Sequence, residues 1–315
     1  MKYRPVTEEM QPRFVGLQTF MQMPHNRQTD GVDVAIVGLP FDTGGTYRVG
    51  ARFGPAAIRA ASQMLHPYNP ATGVDLTERL SAVDYGDLRV VPGAVERSHA
   101  LLADGLEPLH RNGLRVIGLG GDHSVSLPHL QAAASVHGPL ALIQFDSHSD
   151  LWDEFWGERR NHGTVIRRAL EEGFIDPSAS IQVGLRGSLS NRAESAFSRE
   201  FGFAVLSTAD LRHRPGALRE APRKIRERVG ERRSFVTFDV DFVDPAFAPG
   251  TGTPEVGGFS SWETLELLRG LSGIEFVGFD VVEVIPAYDH ASITALLAAT
   301  VVHEMLGLVA CSETR

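Results

Sequence analysis

Short apolar runs alternate with longer amphipathic segments along the chain. Near-continuous apolar runs are typical of strands that are covered on both faces, which favours a parallel sheet. Such runs begin at Val32, Leu114, Leu140, Ser180, Phe203, Ser234 and Glu275. Helical periodicity occupies the segments 124–137, 165–174, 217–230 and 261–273, and the closing segment 293–310. The alternation predicts an α/β fold with a mostly parallel central sheet.

The chain shows no Pro/Ser-rich linker, no internal repeat and no low-complexity tract. A length of 315 residues is compatible with two domains, but one open α/β domain with long functional loops also reaches this size. We therefore predict an N-terminal extension, residues 1–30, followed by a single α/β domain, residues 31–315.

Composition and charge narrow the functional classes. The chain is 43% hydrophobic and 22% charged, which is an ordinary globular balance. Its formal net charge of -9 argues against a nucleic-acid surface, and the arginine cluster 223–233 is interpreted as the solvated face of a helix. No nucleic-acid partner is expected.

The single cysteine, Cys311, cannot form an internal disulfide, which favours a reducing, cytoplasmic compartment. The first thirty residues lack a continuous apolar signal region, and no run of about 18 apolar residues is present. We expect neither export nor a membrane anchor.

The segment LIQFDSHSD places Asp146, His148 and Asp150 after an apolar strand. If the strand continues, its period of two directs all three side chains to one face, where they are potential metal ligands. A polar turn that caps the strand is an equally good interpretation of this motif alone.

A second segment, SFVTFDVDFVDP, places Asp239 and Asp241 on one face of a strand among Phe, Val and Thr. Burying ionised carboxylates there costs several kcal/mol each unless a cation compensates them. The apolar run contains no Lys or Arg, so a metal ion is the simplest counter-charge.

The third segment, GLGGDHS, leaves His123 at the start of a helical pattern. Asp122 and Ser124 are ordinary N-cap residues, and a lone histidine is usually structural. Taken together, the three segments supply two histidines and four aspartates, enough for two divalent ions that share carboxylates. Oxygen-rich ligation without thiolate favours Mn²⁺ ahead of Zn²⁺ or Fe²⁺.

The motifs GGDHS, DSHSD, NHGT, SFVTFDVDFVDPAFAPGTGTPEVGG and GFDVVEV, in this order, resemble the arginase/agmatinase (ureohydrolase) family. The later motifs resemble its agmatinase and guanidino-acid hydrolase branch, and the similarity runs from about Gly38 to the final helix. The resemblance implies a three-layer α/β/α fold around two Mn²⁺ ions per subunit, and a trimeric or hexameric homo-oligomer. By that similarity one ion is held by His123, Asp146, Asp150 and Asp239, and the other by Asp146, His148, Asp239 and Asp241.

A guanidinium carbon is a poor electrophile, and two metals overcome this by acidifying a shared water. Glu283 is the candidate partner of the guanidinium fork, with a strand-end salt bridge as the alternative. His162 matches the proton-shuttling histidine of the family, although alone it resembles a surface loop histidine. The predicted catalytic residues are His162, Glu283 and Asp150.

The loop between Asp150 and His162 is expected to border the substrate tail. Its arginines suit a carboxylate tail, its Asp153 and Glu154 suit an ammonium, and its aromatic residues suit an aliphatic chain. The predicted substrate-binding residues are Glu283, Trp156, Arg159, Arg160 and Asn161. The segments 45–55 and 187–191 are further candidates for contacts.

The predicted function is an agmatinase-like amidinohydrolase that releases urea and, from agmatine, serves putrescine biosynthesis. A guanidino-acid hydrolase of the guanidinobutyrase or guanidinopropionase type is the alternative. Arginase itself is disfavoured, because the loop that this family uses for an α-amino acid end is not recognisable. Other classes left open are a catalytically silent metal-binding assembly subunit and amide or formimino hydrolysis on the same scaffold.

Overall fold

A computed structural model describes residues 3–7 and 10–312. Its centre is an eight-stranded sheet in which every neighbouring pair is parallel. In chain order the strands of the protein are β1 (Val34–Leu39), β2 (Tyr68–Asn69), β3 (Val74–Asp75), β4 (Ala82–Asp87), β5 (Arg115–Gly120), β6 (Ala141–Phe145), β7 (Ile181–Val183), β8 (Ala204–Leu206), β9 (Ser234–Asp239) and β10 (Phe276–Val282). The large sheet has the order β4-β1-β5-β10-β9-β6-β7-β8, and β2 and β3 form a separate antiparallel pair.

Helices cover both faces of the sheet. They are α1 (Gly54–Ser62), α2 (Leu76–Arg79), α3 (Val95–Arg111), α4 (Ser126–His137), α5 (Val165–Glu171), α6 (Glu194–Glu200), α7 (Thr208–Arg212), α8 (Ala217–Val229), α9 (Ser261–Arg269) and α10 (Ile293–Ser312). The helices α3, α4 and α5 pack side by side on one face, and α1, α8, α9 and α10 form the opposite layer. The predicted three-layer α/β/α architecture is confirmed.

Strand β1 shows why both layers are required. Val34 and Ile36 point into the core shared with α1 and α10, whereas Ala35 and Val37 point into the core shared with α3. All six residues of the strand are buried. Because alternate side chains face opposite sides of a strand, a run that is apolar at every position needs a cover on each face.

Each of the seven predicted runs contains a strand, but strand β4 was not predicted. Its sequence AVDYGD breaks the apolar pattern with Asp84 and Asp87, and it lies at the edge of the sheet. The buried guanidinium of Arg59 on α1 bonds both carboxylates, at 2.7 Å to Asp84 and 2.6 Å to Asp87. A contact between distant segments therefore makes these polar residues compatible with a strand.

The predicted N-terminal extension contacts the domain closely. Phe20 and Met21 are buried, and their backbone N–H groups donate to Asp84 Oδ2 and Ser62 Oγ, both at 2.7 Å. Phe20, Met21 and Met23 thus contribute to the core beside α1. The boundary at residue 30 stays a prediction.

Helix α10 is long and apolar enough to cross a membrane by length and composition. The search for an uninterrupted run of about 18 apolar residues did not find it, because polar residues such as His303 and Glu304 interrupt the run. Within the fold, 83% of its most apolar window is buried against the sheet and the neighbouring helices. A helix that is apolar on all sides is typical of the core of a large domain as well as of a membrane span.

Candidate metal centre

The candidate site residues lie at the carboxyl ends of four adjacent central strands. His123 follows β5, Glu283 follows β10, Asp239 ends β9 and Asp146 follows β6. In open parallel sheets ligands bind at this edge, because the loops that follow the strands do not have to pack within the sheet. The sheet order brings together side chains that are up to 160 positions apart in sequence.

The aspartate motifs do not continue their strands, so the predicted alternation of side chains is wrong as the reason why these residues converge. Strand β6 ends at Phe145, and Asp146 Oδ1 accepts the backbone N–H of His148 at 2.7 Å. Strand β9 ends at Asp239, whose Oδ1 accepts the N–H of Asp241 at 2.8 Å in a short 3-10 turn. Each aspartate side chain thus curls the backbone into a turn that returns the residue two positions later to the same site.

The first group of candidate ligands surrounds His123. Its Nδ1 lies 3.1 Å from Asp146 Oδ2, 2.8 Å from Asp150 Oδ2 and 3.4 Å from Asp239 Oδ2. This Nδ1 is buried and has no hydrogen-bond partner of acceptable geometry. The other ring nitrogen, Nε2, lies 2.8 Å from Thr237 Oγ1, which orients the imidazole towards the three carboxylates.

The second group contains Asp146, His148 and Asp241. His148 Nδ1 lies 3.0 Å from Asp241 Oδ2 and 3.6 Å from Asp146 Oδ1. Ser147 donates to Asp241 Oδ1 through its backbone N–H at 3.0 Å and its hydroxyl at 2.7 Å. Asp241 Oδ2, in contrast, is buried without a hydrogen-bond partner.

Electrostatics support a cationic occupant. Burial, together with the negative charges of Asp241 and Asp146, raises the pKa of Asp239 well above its usual range. Burial opposes protonation of His123, but the adjacent carboxylates of Asp146 and Asp150 prevail and raise the pKa of the ring well above normal. The clustered carboxylates thus favour added positive charge in this site.

The residues fit two divalent ions. Orphaned atoms of His123 and Asp241 point into the two groups, the donors are oxygen and imidazole nitrogen, and Asp146 belongs to both groups. The predicted second bridge, Asp239, lies with His123 in the first group. The individual ligand roles stay predictions.

Glu283 is held rigidly beside the first group. It has a left-handed backbone with φ of 66°, it is 3% exposed, and its N–H donates to the carbonyl of Gly121 at 2.8 Å. Its Oε1 accepts the backbone N–H of His123 at 2.8 Å. A strained backbone in a non-glycine residue persists only where surrounding contacts hold it, and Asp150 shares this feature with φ of 52°.

His162 starts a short 3-10 helix whose N-cap is Asn161. The backbone N–H of Thr46 donates to Nε2 at 3.1 Å, so Nδ1 carries the proton of the neutral ring and faces Glu283 Oε1 at 3.3 Å. Burial lowers the pKa of His162, but the hydrogen bond and negative charge of Glu283 outweigh burial and raise it above the usual value. Glu283 thus favours the charged form of the ring.

A cavity of about 370 Å³ opens onto these groups. His148, Asp150, His162 and Asp239 line its inner end, and the remainder is formed mainly by the aromatic pair Trp152 and Phe155 and by the segment 185–199. The segment 187–191, considered at the sequence level, is thus part of the cavity wall. Serine hydroxyls, Glu194 and Arg199 supply most of the polar groups of this wall.

The structure does not bring the predicted tail-binding side chains of the loop to this cavity. Arg159 pairs with Asp153 and Glu171 at 3.1 Å, and Arg160 pairs with Glu172 at 2.7 Å. Trp156 is 83% exposed, and Asn161 serves as the N-cap below His162. The arginines point away because acidic residues of the same loop and of α5 neutralise them on the outside.

Several residues of the site were missed or only touched by sequence reasoning. Thr46 lies in the segment 45–55 and contacts His162, while Ser147 and Arg186 contact the turn of Asp241. Ser147 lies within the motif DSHSD and Arg186 just beyond β7, but their contacts with Asp241 join segments far apart in sequence, which no local pattern indicates. Asp122 is the N-cap of the turn at His123, as its position suggested.

Comparisons with known proteins agree with this geometry. Residues 32–307 match the model of the Arginase family. The chain is 44% identical to the agmatinase of Neisseria meningitidis serogroup A, over 91% of this chain and 89% of that protein. It is 38% identical to the guanidinobutyrase of Pseudomonas aeruginosa, over 96% of both chains.

A solved structure shares the architecture almost throughout. The proclavaminate amidinohydrolase of Streptomyces clavuligerus superposes with a TM-score of 0.91 at 39% identity, covering 96% of this chain and 100% of that chain. Sequence, fold and the clustered carboxylates agree, and the chain belongs to the arginase family.

Proposed function

We propose that this protein is an amidinohydrolase that cleaves a guanidino compound to urea and an amine. The observation that carries the proposal is the buried Glu283 carboxylate, fixed against His123 and His162 beside the two ligand groups. A fixed carboxylate recognises a planar guanidinium in bidentate fashion, and its position orients the guanidinium carbon towards the metal side of the site.

When bound, two divalent ions lower the pKa of a water molecule so that it can attack at neutral pH. The protein supplies the remaining functions. Glu283 binds and orients the guanidinium, and His162 holds a proton at Nδ1 beside that carboxylate. Because cleavage turns a C–N bond into a free amine, a proton must reach the departing nitrogen, and His162, beside the carboxylate that binds the guanidinium, is assigned this role.

Agmatine is the main candidate substrate. Glu194 lines the cavity and offers a negative charge to the terminal ammonium of agmatine, and the agmatinase of N. meningitidis is a relative at 44% identity. With this substrate the enzyme would serve putrescine biosynthesis.

A guanidino acid is the second candidate. Arg199 also lines the cavity and suits a carboxylate tail, and the relatives include a guanidinobutyrase and a guanidinopropionase of P. aeruginosa. The tail charge of the preferred substrate separates the two candidates.

The metal, the oligomeric state and the cellular location of the protein are proposed on separate grounds. Mn²⁺ is the proposed metal because oxygen ligands predominate and thiolates are absent from the two groups. A homo-oligomer, trimeric or hexameric, follows from the family resemblance. A cytoplasmic location is proposed because the chain has a single cysteine.

One assay tests the proposal. Urea is measured from Mn²⁺-loaded protein given agmatine, guanidinobutyrate, guanidinopropionate and arginine in parallel. We expect urea from the first compound or from one of the two guanidino acids. Metal binding without urea from any compound would instead identify a silent assembly subunit, and ammonia without urea would identify formimino or amide hydrolysis.

The variant Glu283→Gln tests the role of the carboxylate. It keeps the shape of the side chain but loses the ion pair with the guanidinium, so kcat/KM is expected to fall by a factor corresponding to about 2–5 kcal/mol. Glu304→Gln is the matched control, because Glu304 is also 3% exposed but pairs with Arg269, on α9. Equal losses in both variants would refute the assignment of Glu283.

A further inference from the structure

Arg186 connects the two turns that carry the second ligand group. It lies just beyond β7, and its guanidinium donates to the carbonyl oxygens of Asp241 at 2.5 Å and Phe242 at 3.1 Å. The same guanidinium donates to the carbonyl of Glu255 through both Nε and Nη2, at 3.2 and 2.8 Å. One side chain therefore joins the turn of Asp241 to the following loop.

The main chain of Arg186 holds the other turn. Its backbone N–H donates to the carbonyl of Ser147 at 3.0 Å. Ser147 in turn fixes Asp241 Oδ1 with its own N–H and hydroxyl. Ser147 and Asp241 are thus bonded to one another, and each is bonded to Arg186.

The effect of these bonds is to decide which oxygen of Asp241 is available. Oδ1 is occupied by two donors from Ser147, and the backbone carbonyl is turned towards Arg186. Oδ2 remains without a hydrogen-bond partner and lies 3.0 Å from Nδ1 of His148. A metal ligand needs this combination of one free oxygen and a carboxylate plane that cannot rotate.

The chain makes room for this arrangement. A Cβ at Gly258 would lie 2.6 Å from Nη2 and 2.9 Å from Cζ of Arg186, so a side chain there would displace the guanidinium. A guanidinium presents five donors in a rigid planar fork, whereas a lysine ammonium has three donors on a flexible stem and does not reproduce this pattern of bonds.

We propose that Arg186 is a positioning residue for the second metal ion, the one assigned to Asp146, His148 and Asp241. It acts through Ser147 and the turn of Asp241 and does not bind the ion itself. This inference rests on the proposed binuclear function, but it concerns metal affinity and is tested without turnover.

The experiment compares Arg186→Lys with Arg228→Lys in metal-free protein titrated with Mn²⁺ alone. Arg228 is a matched control, since it also donates to three carbonyls, those of Pro177, Ser180 and Gly202, but next to the amino ends of β7 and β8. Lysine preserves the charge at both positions. Binding is followed by calorimetry, and the coupling between the ions by the electron paramagnetic resonance spectrum of bound Mn²⁺.

In Arg186→Lys we expect the second ion to bind about 10- to 100-fold more weakly while the first is unchanged, with loss of the spectrum of a coupled pair. Arg228→Lys is expected to keep both affinities. Unchanged binding of the second ion in folded Arg186→Lys, or equal weakening in both variants, would overturn the proposal.

Thermal unfolding of the metal-free variants verifies that each is folded. If Arg186→Lys does not fold, Ser147→Ala removes the hydroxyl bond that holds Asp241 Oδ1 in the same turn and must weaken the second ion alone; normal binding there overturns the proposal. Wild-type protein that binds two ions but releases no urea would refute the proposed function and leave this inference standing.

Discussion

Nδ1 of His162 lies 3.3 Å from Oε1 of Glu283, and the same oxygen accepts the backbone N–H of His123 at 2.8 Å. One carboxylate thus joins the proposed proton donor to the turn that carries a metal ligand. Because Glu283 is 3% exposed, this connection is little screened by solvent. The proposed metal ligands and the proposed proton donor are therefore different residues, and Glu283 connects them.

This separation predicts that His162→Ala retains its metal but loses most turnover. Loss of a general acid typically lowers kcat by about 10²- to 10⁴-fold, and the ligand groups do not include His162. Metal content and steady-state kinetics are the measurements. His213→Ala, at an exposed position, is the control. Full activity in His162→Ala would remove this residue from the mechanism.

The sharing of Asp146 between the two ligand groups makes a prediction about stoichiometry. Asp146→Ala is expected to weaken both ions, whereas His148→Ala weakens only the second, because His148 belongs to one group. Elemental analysis after dialysis gives the number of ions per subunit. A loss of the same size in both variants would contradict a shared carboxylate.

Buried neutral histidine predicts a loss of stability in acid. Burial, with a smaller effect of Arg160, lowers the pKa of His99 from 6.5 to about 3. The folded state then binds fewer protons than the unfolded chain between these values. Stability from this site is complete above pH 6.5 and is lost as the pH falls towards 3, at about 1.4 kcal/mol per pH unit.

His99→Gln removes this contribution, so its free energy of unfolding is expected to depend less steeply on pH in that window. Urea denaturation of metal-free protein at several pH values measures the slope, with His213→Gln as the exposed control. Identical slopes for wild type and His99→Gln would show that His99 is not held neutral.

Replacing either of two glycines by alanine is expected to change the free energy of unfolding, in opposite directions at the two positions. A Cβ at Gly121 would lie 1.7 Å from the backbone oxygen of Phe41, so Gly121→Ala is expected to destabilise the protein by at least about 3 kcal/mol. Gly307 lies inside α10 with no atom within 4 Å of an added Cβ. Gly307→Ala is expected to stabilise by about 0.5–1 kcal/mol.

Chemical denaturation of the two alanine variants measures both effects. Because the carbonyl of Gly121 also accepts the N–H of Glu283, surviving Gly121→Ala should have lowered activity as well. Near wild-type stability in Gly121→Ala would mean that the approach of Phe41 is not required by the fold.

The sequence by itself determined the α/β class, the parallel sheet and the set of candidate ligands. Apolar runs of strand length report burial on both faces directly, and buried aspartates such as Asp239 and Asp241 are costly enough to indicate a cation. The motifs around His123, Asp146 and Glu283 were sufficient for the family resemblance.

Only the tertiary structure decided how these residues meet. The bonds of Glu283 to His123 and of Arg186 to the carbonyl of Asp241 join segments that are distant in sequence, and the bonds of Ser147 to Asp241 bring the two locally formed turns together. The outward pairing of Arg159 depends on the position of α5, which carries its partner Glu171. Local periodicity records which side chains are buried, but it contains no information about which strand end lies beside which, and that neighbourhood determines the chemistry of the site.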